Sequence, residues 1–311
     1  MCYLPLLRAH YHPMIISGIF FFWQLGVLSY LDRQYDLSRI SMTGASSGAV
    51  AVACAAANVE FADFVQMTIT KCDEINLWER KLGVIGVLGQ ITKDTLERML
   101  PEDSHEKLNE SNVSVLIQPA NPFRSVKRVT SFRSRRSVID VLSATSHIPY
   151  LANGKAQTKY RGKSYFDGAL FARPQDFVDE ELSGVPVLQF DHSQDPALKD
   201  TNLIDCLKTP TKEQIWGLFY MGRKFAEHRD SLGDLACLTP LFSRRLSKLV
   251  SDQAVKAFSR NTQYRWAFAV LIALFFAVLP SNSFDHAKRR FSLSDEWVGP
   301  QLYSRVDDIV I

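Results

Sequence analysis

The pentapeptide Gly44-Ala45-Ser46-Ser47-Gly48 constrains this chain more than any other feature. Before it lies Ser38-Arg-Ile-Ser-Met-Thr43, a short β-type run. After it, Gly48 to Ala57 is a small-residue run that reads as a tightly packed helix. A strand that passes so quickly into a helix must turn sharply. The turn forces uncommon backbone angles on the serine and demands small neighbours. In that setting Ser46 Oγ points outward. The helix start behind it offers unpaired N–H groups and the positive end of the helix dipole. Both suit the oxyanion that forms when a serine attacks a carbonyl. Taken alone, the pentapeptide is equally well a helix start in which Ser46 or Ser47 is the N-cap.

The surrounding sequence is of α/β type. Val113 to Gln118 reads as a strand and Val138 to Ala144 as a helix. Val185 to Phe190 reads as a further strand, with Pro186 pointing to an edge or an end. From Asp191 to Leu235 the pattern is mixed and largely helical, and Ser281 to Ile311 is a polar tail.

A second signal sits far downstream, in Tyr165-Phe166-Asp167-Gly168-Ala169. An Asp-Gly pair by itself marks a turn. Here it follows Ser146-His147-Ile148-Pro149, which breaks the helical run ending near Ala144, and then a Tyr/Arg/Gly run that delivers Asp167 to a loop. A serine hydroxyl is a poor nucleophile until a positioned base takes its proton. A carboxylate can do so if a partly apolar setting raises its pKa, and Tyr165 and Phe166 offer one. His147 is the rival base. Its simpler reading is a helix-end histidine packed beside Pro149.

The two motifs, in this order and at this separation, resemble the patatin-like phospholipase family, with the nearest likeness to animal triglyceride lipases and their adiponutrin relatives. The likeness runs over roughly residues 15–170. It implies a three-layer α/β/α sandwich with a mostly parallel central sheet, followed by a helical C-terminal extension. It also implies a Ser–Asp dyad: Ser46 the nucleophile within Gly44-x-Ser46-x-Gly48, and Asp167 the proton acceptor within Asp167-Gly168-Ala169. No metal or cofactor is expected. The family's glycine-rich oxyanion loop corresponds to Ser17 to Phe22. Gly18 is kept there and is the candidate oxyanion residue, whereas Phe21 stands where the family has glycine and no basic residue is present. A bulky residue resists positive φ, so a degraded loop and weak turnover are expected.

Two stretches lack charge over a length relevant to a bilayer, Ala9 to Leu31 and Trp266 to Phe284. Ser17, Gly18, Gln24 and Gly26 interrupt the first, which reads as a buried strand, a glycine turn and a helix; no small-x-small cleavage site follows it. The second has an unbroken apolar core, Trp266 to Leu279, flanked by basic residues. It reads either as membrane or lipid-surface contact or as a buried core helix.

Net charge is only +3, which argues against nucleic acid as a partner. The run Arg124 to Arg136 holds six basic residues in thirteen positions. It is a solvated face or an attraction to anionic head groups. The five cysteines are odd in number and never spaced C-x-x-C, which suggests neither a disulfide framework nor a zinc site and fits reduced thiols facing the cytosol.

The expected organisation is a patatin-like acylhydrolase domain at 10–200, a helical extension at 201–262, a hydrophobic segment at 263–284 and a polar tail at 285–311. The expected function is a lipid acyl hydrolase of the triacylglycerol lipase or phospholipase A type, with a transacylase as a variant. Its expected partners are a lipid ester and a membrane or lipid-droplet surface. The alternative is a catalytically weak lipid-binding or lipase-regulating protein.

Overall fold

A computed structural model describes residues 3–6, 18–121, 125–178, 188–199, 209–238 and 240–241. The chain divides into two compact units, 1–245 and 246–311, and every described residue belongs to the first. The segment Trp266–Leu279 and the polar tail lie outside the described residues, as does the first half of the expected strand Val185–Phe190.

One sheet organises the unit. Its strands are β1 (Tyr3–Leu6), β2 (Ser41–Ala45), β3 (Val113–Pro119), β4 (Lys127–Val129), β5 (Thr158–Tyr160) and β6 (Lys163–Phe166). They run in the order β1-β2-β3-β6-β5, with β4 also paired to β3. β1 pairs parallel with β2, and β2 with β3. β4 and β6 pair antiparallel with β3, and β5 antiparallel with β6. The fold is therefore α/β, but the expected mostly parallel sheet is met only on one side of β3, and the described sheet is mixed. The cause is local. β5 and β6 are joined by Arg161-Gly162, both at positive φ (47° and 74°), the two-residue hairpin geometry that twists in step with its strands. So tight a hairpin fixes β5 antiparallel to β6, so the sheet is mixed whichever way β6 meets β3.

The helices are α1 (Phe21–Gln34), α2 (Ser47–Ala56), α3 (Phe61–Glu74), α4 (Leu88–Met99), α5 (Ser104–Glu110), α6 (Arg135–Thr145) and α7 (Lys212–Ser231). Nine of the ten residues of α2 are buried. A helix buried all round has no polar face to offer, and its Ala, Val, Gly and Cys side chains let it lie close to its neighbours. α3 and α4 are amphipathic, and bury Phe61, Phe64, Val65, Ile69 and Cys72, and Ile91, Thr95 and Leu96, respectively.

α7 lies past the expected domain end at residue 200 and packs directly on α1. A Cβ at Gly26 would fall 1.9 Å from Phe219 O, and one at Gly222 would fall 1.9 Å from Trp23 O. Each glycine thus admits the other helix's backbone. Tyr30 Oη donates to Asp230 Oδ2 at 2.6 Å, and Tyr35 Oη donates to the same carboxylate. No helix among the described residues is long and apolar enough to cross a membrane.

Three arginines of the basic run serve the fold, while Lys127 and Arg133 are exposed. Arg128 donates to Thr43 Oγ1 and to Asp176 O. Arg135 donates to Leu100 O and pairs with Glu102, and Arg136 pairs with Asp140. The expectation of reduced thiols holds for Cys54 and Cys72, which are free and buried. Cys237 is disulfide-bonded. Spacing in sequence reports only local cysteine pairs, whereas a disulfide needs only proximity in space.

Candidate active site

Ser46 sits between the last residue of β2 and the first of α2, at φ 51° and ψ −130°. This is a strained conformation for a residue with a Cβ. Three features hold it. A Cβ at Gly44 would stand 2.5 Å from Gly48 O and from Ala49 N, so only glycine lets β2 turn so tightly into α2. Ser46 N–H donates to Thr145 Oγ1 at 2.8 Å, and Thr145 Oγ1–H donates to Leu116 O at 2.6 Å. Thr145 is fully buried at the end of α6. The helix-start reading of the pentapeptide is half right: Ser46 occupies the N-cap position, but its side chain makes no capping bond.

That side chain turns instead to Asp167. Ser46 Oγ donates to Asp167 Oδ2 at 2.5 Å across 121 residues of sequence. The sheet accounts for the meeting. Ala45 is level with Leu116 in the parallel register, and Phe166 is level with Gln118 in the antiparallel one. Continuing each register by one residue brings Ser46 and Asp167 level with Ile117 from opposite sides. β3 is the ruler against which both are set. Asp167 is then pinned by its own turn: its N–H donates to His147 O at 2.9 Å, Gly168 N–H to Thr145 O at 2.8 Å, and Ala169 N–H to Asp167 Oδ1 at 2.8 Å. A Cβ at Gly168 would strike Leu116 O at 2.0 Å and Thr145 Oγ1 at 2.6 Å, so the glycine is required.

Asp167 is 1% exposed. Burial raises its pKa from 3.8 to about 7, against smaller lowering effects from the Ser46 and Ala169 hydrogen bonds. The carboxyl is thus poised near neutrality, where a proton can be taken up and released. Phe166 precedes it on β6, and the Tyr165 ring is buried in the main core.

His147 is buried, and its Nε2 lies 3.1 Å from Lys155 O. Burial lowers its pKa. Its backbone carbonyl positions Asp167 while its ring faces the 155 loop, which fits the packed helix-end reading.

Ser46 opens onto a pocket with about 990 Å³ of empty space, part of it open solvent. Gly18, Ile19, Phe21 and Phe22 form one side, Phe64, Thr68 and Cys72 of α3 another, and Leu88, Ile91, Thr92 and Thr95 of α4 a third. Among the described residues, no charged one lines it. Its threonines are apolar in effect. Thr68, Thr92 and Thr95 each donate the hydroxyl to the carbonyl four residues back on their own helix, Phe64 O, Leu88 O and Ile91 O.

Gly18 stands at the pocket with φ 45°, the left-handed region that favours glycine. Phe21 is the first residue of α1 and is not among the positive-φ residues. The steric objection to a bulky residue there therefore does not apply at Phe21; residues 7–17 lie outside the described residues. The short 3-10 turn Gly18–Phe20 is braced from the far side. His192 stacks on Phe20 with centroids 4.1 Å apart, and Trp23 Nε1–H donates to Asp195 Oδ2 at 2.8 Å.

Sequence reasoning missed Thr145 and the whole α3–α4 wall. Thr145 carried no signal beyond its place at the end of a helical run. The wall did carry one, since Phe61, Phe64, Val65, Ile69 and Cys72 recur at the three- and four-residue spacing of a buried helix face.

A strained serine at a strand-to-helix turn, hydrogen-bonded to a buried aspartate and open to an apolar cavity, is an arrangement that can activate a hydroxyl for attack on an ester carbonyl. A family model for patatin-like phospholipase matches residues 18–176, and the chain belongs to that family. No curated protein matches the chain.

Proposed function

We propose that the protein is a lipid acyl hydrolase of the triacylglycerol lipase or phospholipase A type, in which Ser46 is the nucleophile and Asp167 the proton acceptor. The observation that carries this reading is the 2.5 Å bond to a buried carboxylate from Ser46 Oγ, whose residue lines a pocket with no charged group among its described residues. Ionised Asp167 takes the Ser46 proton as Oγ attacks the ester carbonyl. The oxyanion meets backbone N–H groups of the Gly18 turn and the first turn of α2. Asp167 returns the proton to the departing alkoxide and leaves an acyl group on Ser46. It then takes a proton from water, whose oxygen attacks the acyl carbonyl, and Ser46 recovers its hydrogen as the carboxylic acid departs. The acyl chain lies in the pocket, whose walls offer no polar group along α3 and α4 because the threonine hydroxyls are turned away. No cofactor takes part in this scheme.

A fluorophosphonate probe on the purified full chain, followed by hydrolysis of a panel of triacylglycerols and phospholipids, tests this. Labelling and hydrolysis that both vanish in Ser46→Ala support the enzyme. A folded wild type that takes up no label refutes it, and leaves a lipid-binding relative as the better reading.

A further inference from the structure

Six large apolar side chains among the described residues are left substantially in solvent, and three of them, Leu82, Ile85 and Tyr150, occupy two turns that meet beside the pocket. The turns are tied together: Gly86 N–H donates to Leu151 O at 2.7 Å, and Gly89 N–H to Ala152 O at 2.8 Å. Arg80 shapes the first turn by donating to Gly83 O and Ile85 O. Val84 lines the pocket together with Leu151, and Val87 packs with Val84 against Cys72, Leu77 and Ile91. Leu82, Ile85 and Tyr150 point the other way, 63%, 46% and 65% exposed.

This is an apolar rim on the outer side of residues that form the cavity. Its electrostatics are one-sided. From Arg80 to Thr92 the chain carries two cations and no acid, and from Ser146 to Gln157 it carries Lys155 and no acid. Lys81 and Lys155 are exposed and join no ion pair among the described residues, and Arg80 bonds only to carbonyls. The acids flanking the first stretch are Glu79 on one side and Asp94 on the other, and Asp94 accepts from Gln90 Nε2.

We propose that this rim is the docking face for an anionic lipid surface: Leu82, Ile85 and Tyr150 enter the acyl boundary while Arg80, Lys81 and Lys155 lie at the head groups. The proposal rests on the lipid-hydrolase reading of the pocket. An acyl chain leaving a lipid phase for a pocket across open water would expose every methylene on the way. A rim seated in that phase at the pocket's edge removes the crossing. Apolar insertion with basic head-group contact is the usual chemistry of reversible surface binding.

The test uses the full chain and sedimentation with two vesicle types, phosphatidylcholine alone and phosphatidylcholine mixed with phosphatidylserine. Wild type should bind the mixed vesicles. Leu82→Ser with Ile85→Ser should lower partition onto both types about tenfold. Lys81→Gln with Lys155→Gln should lower it about tenfold on the mixed vesicles only. Both double variants should hydrolyse a water-soluble short-chain ester as wild type does, since none of the four residues lines the pocket. Unchanged partition of the apolar variant would overturn the proposal. So would a shift in its oligomeric state at unchanged partition, which would make the rim a contact between copies of the chain. If the hydrolase reading alone is wrong, soluble-ester hydrolysis is absent in wild type while the vesicle results stand.

Discussion

At the Ser46 corner, Thr145 uses its hydroxyl to bridge two elements, accepting from Ser46 N–H and donating to Leu116 O. Along the pocket wall, Thr68, Thr92 and Thr95 use the same hydroxyl only to return to a carbonyl of their own helix. In the corner one residue type fixes a strained backbone, and no neighbour substitutes for it. In the wall the same residue type is a methyl-bearing filler whose oxygen is hidden. Polar groups therefore specify geometry in one region, whereas the other is specified by shape and by the exclusion of charge. The two regions should respond to substitution on quite different scales.

The largest contrast comes from Asp167→Asn. The amide keeps the shape but cannot take the Ser46 proton, so soluble-ester kcat should fall about 10⁴-fold. A fall below tenfold would show that the corner does not work as a pair. Nothing comparable is expected from any single wall substitution.

The same carboxyl sharpens the comparison through pH. Its pKa is raised from 3.8 to about 7 by burial. Base function needs the ionised form, so kcat/KM should climb with pH through about 7. Stability should move the opposite way. A group whose folded pKa is raised contributes its stability below the unfolded pKa and loses it as pH rises through the folded one. Relative to Asp167→Asn, the wild type should lose up to roughly 4 kcal/mol between about pH 4 and pH 7, at 1.36 kcal/mol per pK unit. Urea unfolding of both proteins across that range would show it. A parallel pH response in the two would mean that the carboxyl ionises freely in the fold.

Thr145→Val tests the bridge itself. It leaves Ser46 N–H and Leu116 O without the hydroxyl in a buried site, which should cost about 2 kcal/mol. Displacement of Ser46 should cost about 10²-fold in kcat, and Thr145→Ser should restore most of it. A silent Thr145→Val would place the origin of the Ser46 geometry wholly in the glycines.

The smallest effect is expected from Thr95→Val. Ile91 O keeps its helical N–H partner, and the wall gains a methyl where a hydroxyl was turned away. Stability should change by no more than about 0.5 kcal/mol, with long-chain ester KM unchanged or lower. A loss as large as that of Thr145→Val would erase the distinction between corner and wall.

Much of the corner was legible because its constraints are local. Gly44, Ser46 and Gly48 mark a tight strand-to-helix turn, and Asp167-Gly168 marks a second turn, each through backbone requirements that act over a few residues. β2, α2, β3 and α6 were readable for the same reason, within one to three residues at their ends. The wall was less legible, since an apolar helix face says that a residue is covered and not what covers it. Gly26 read as an interruption of an apolar run, and only the crossing of α1 and α7 gives it, and Gly222 opposite, a purpose.

The sequence by itself determined that a serine would stand on a strained bend and that an acid would close a distant turn, because steric limits on φ and the small size of glycine act within each segment. Only the tertiary structure decided that the two would meet, since their 2.5 Å contact depends on β2 and β6 taking register from opposite sides of β3. It alone decided that burial would bring the carboxyl to neutrality, that Thr145 would hold the bend, and that α3 and α4 would enclose an uncharged cavity beside it. Desolvation and long-range pairing depend on what surrounds a residue in space.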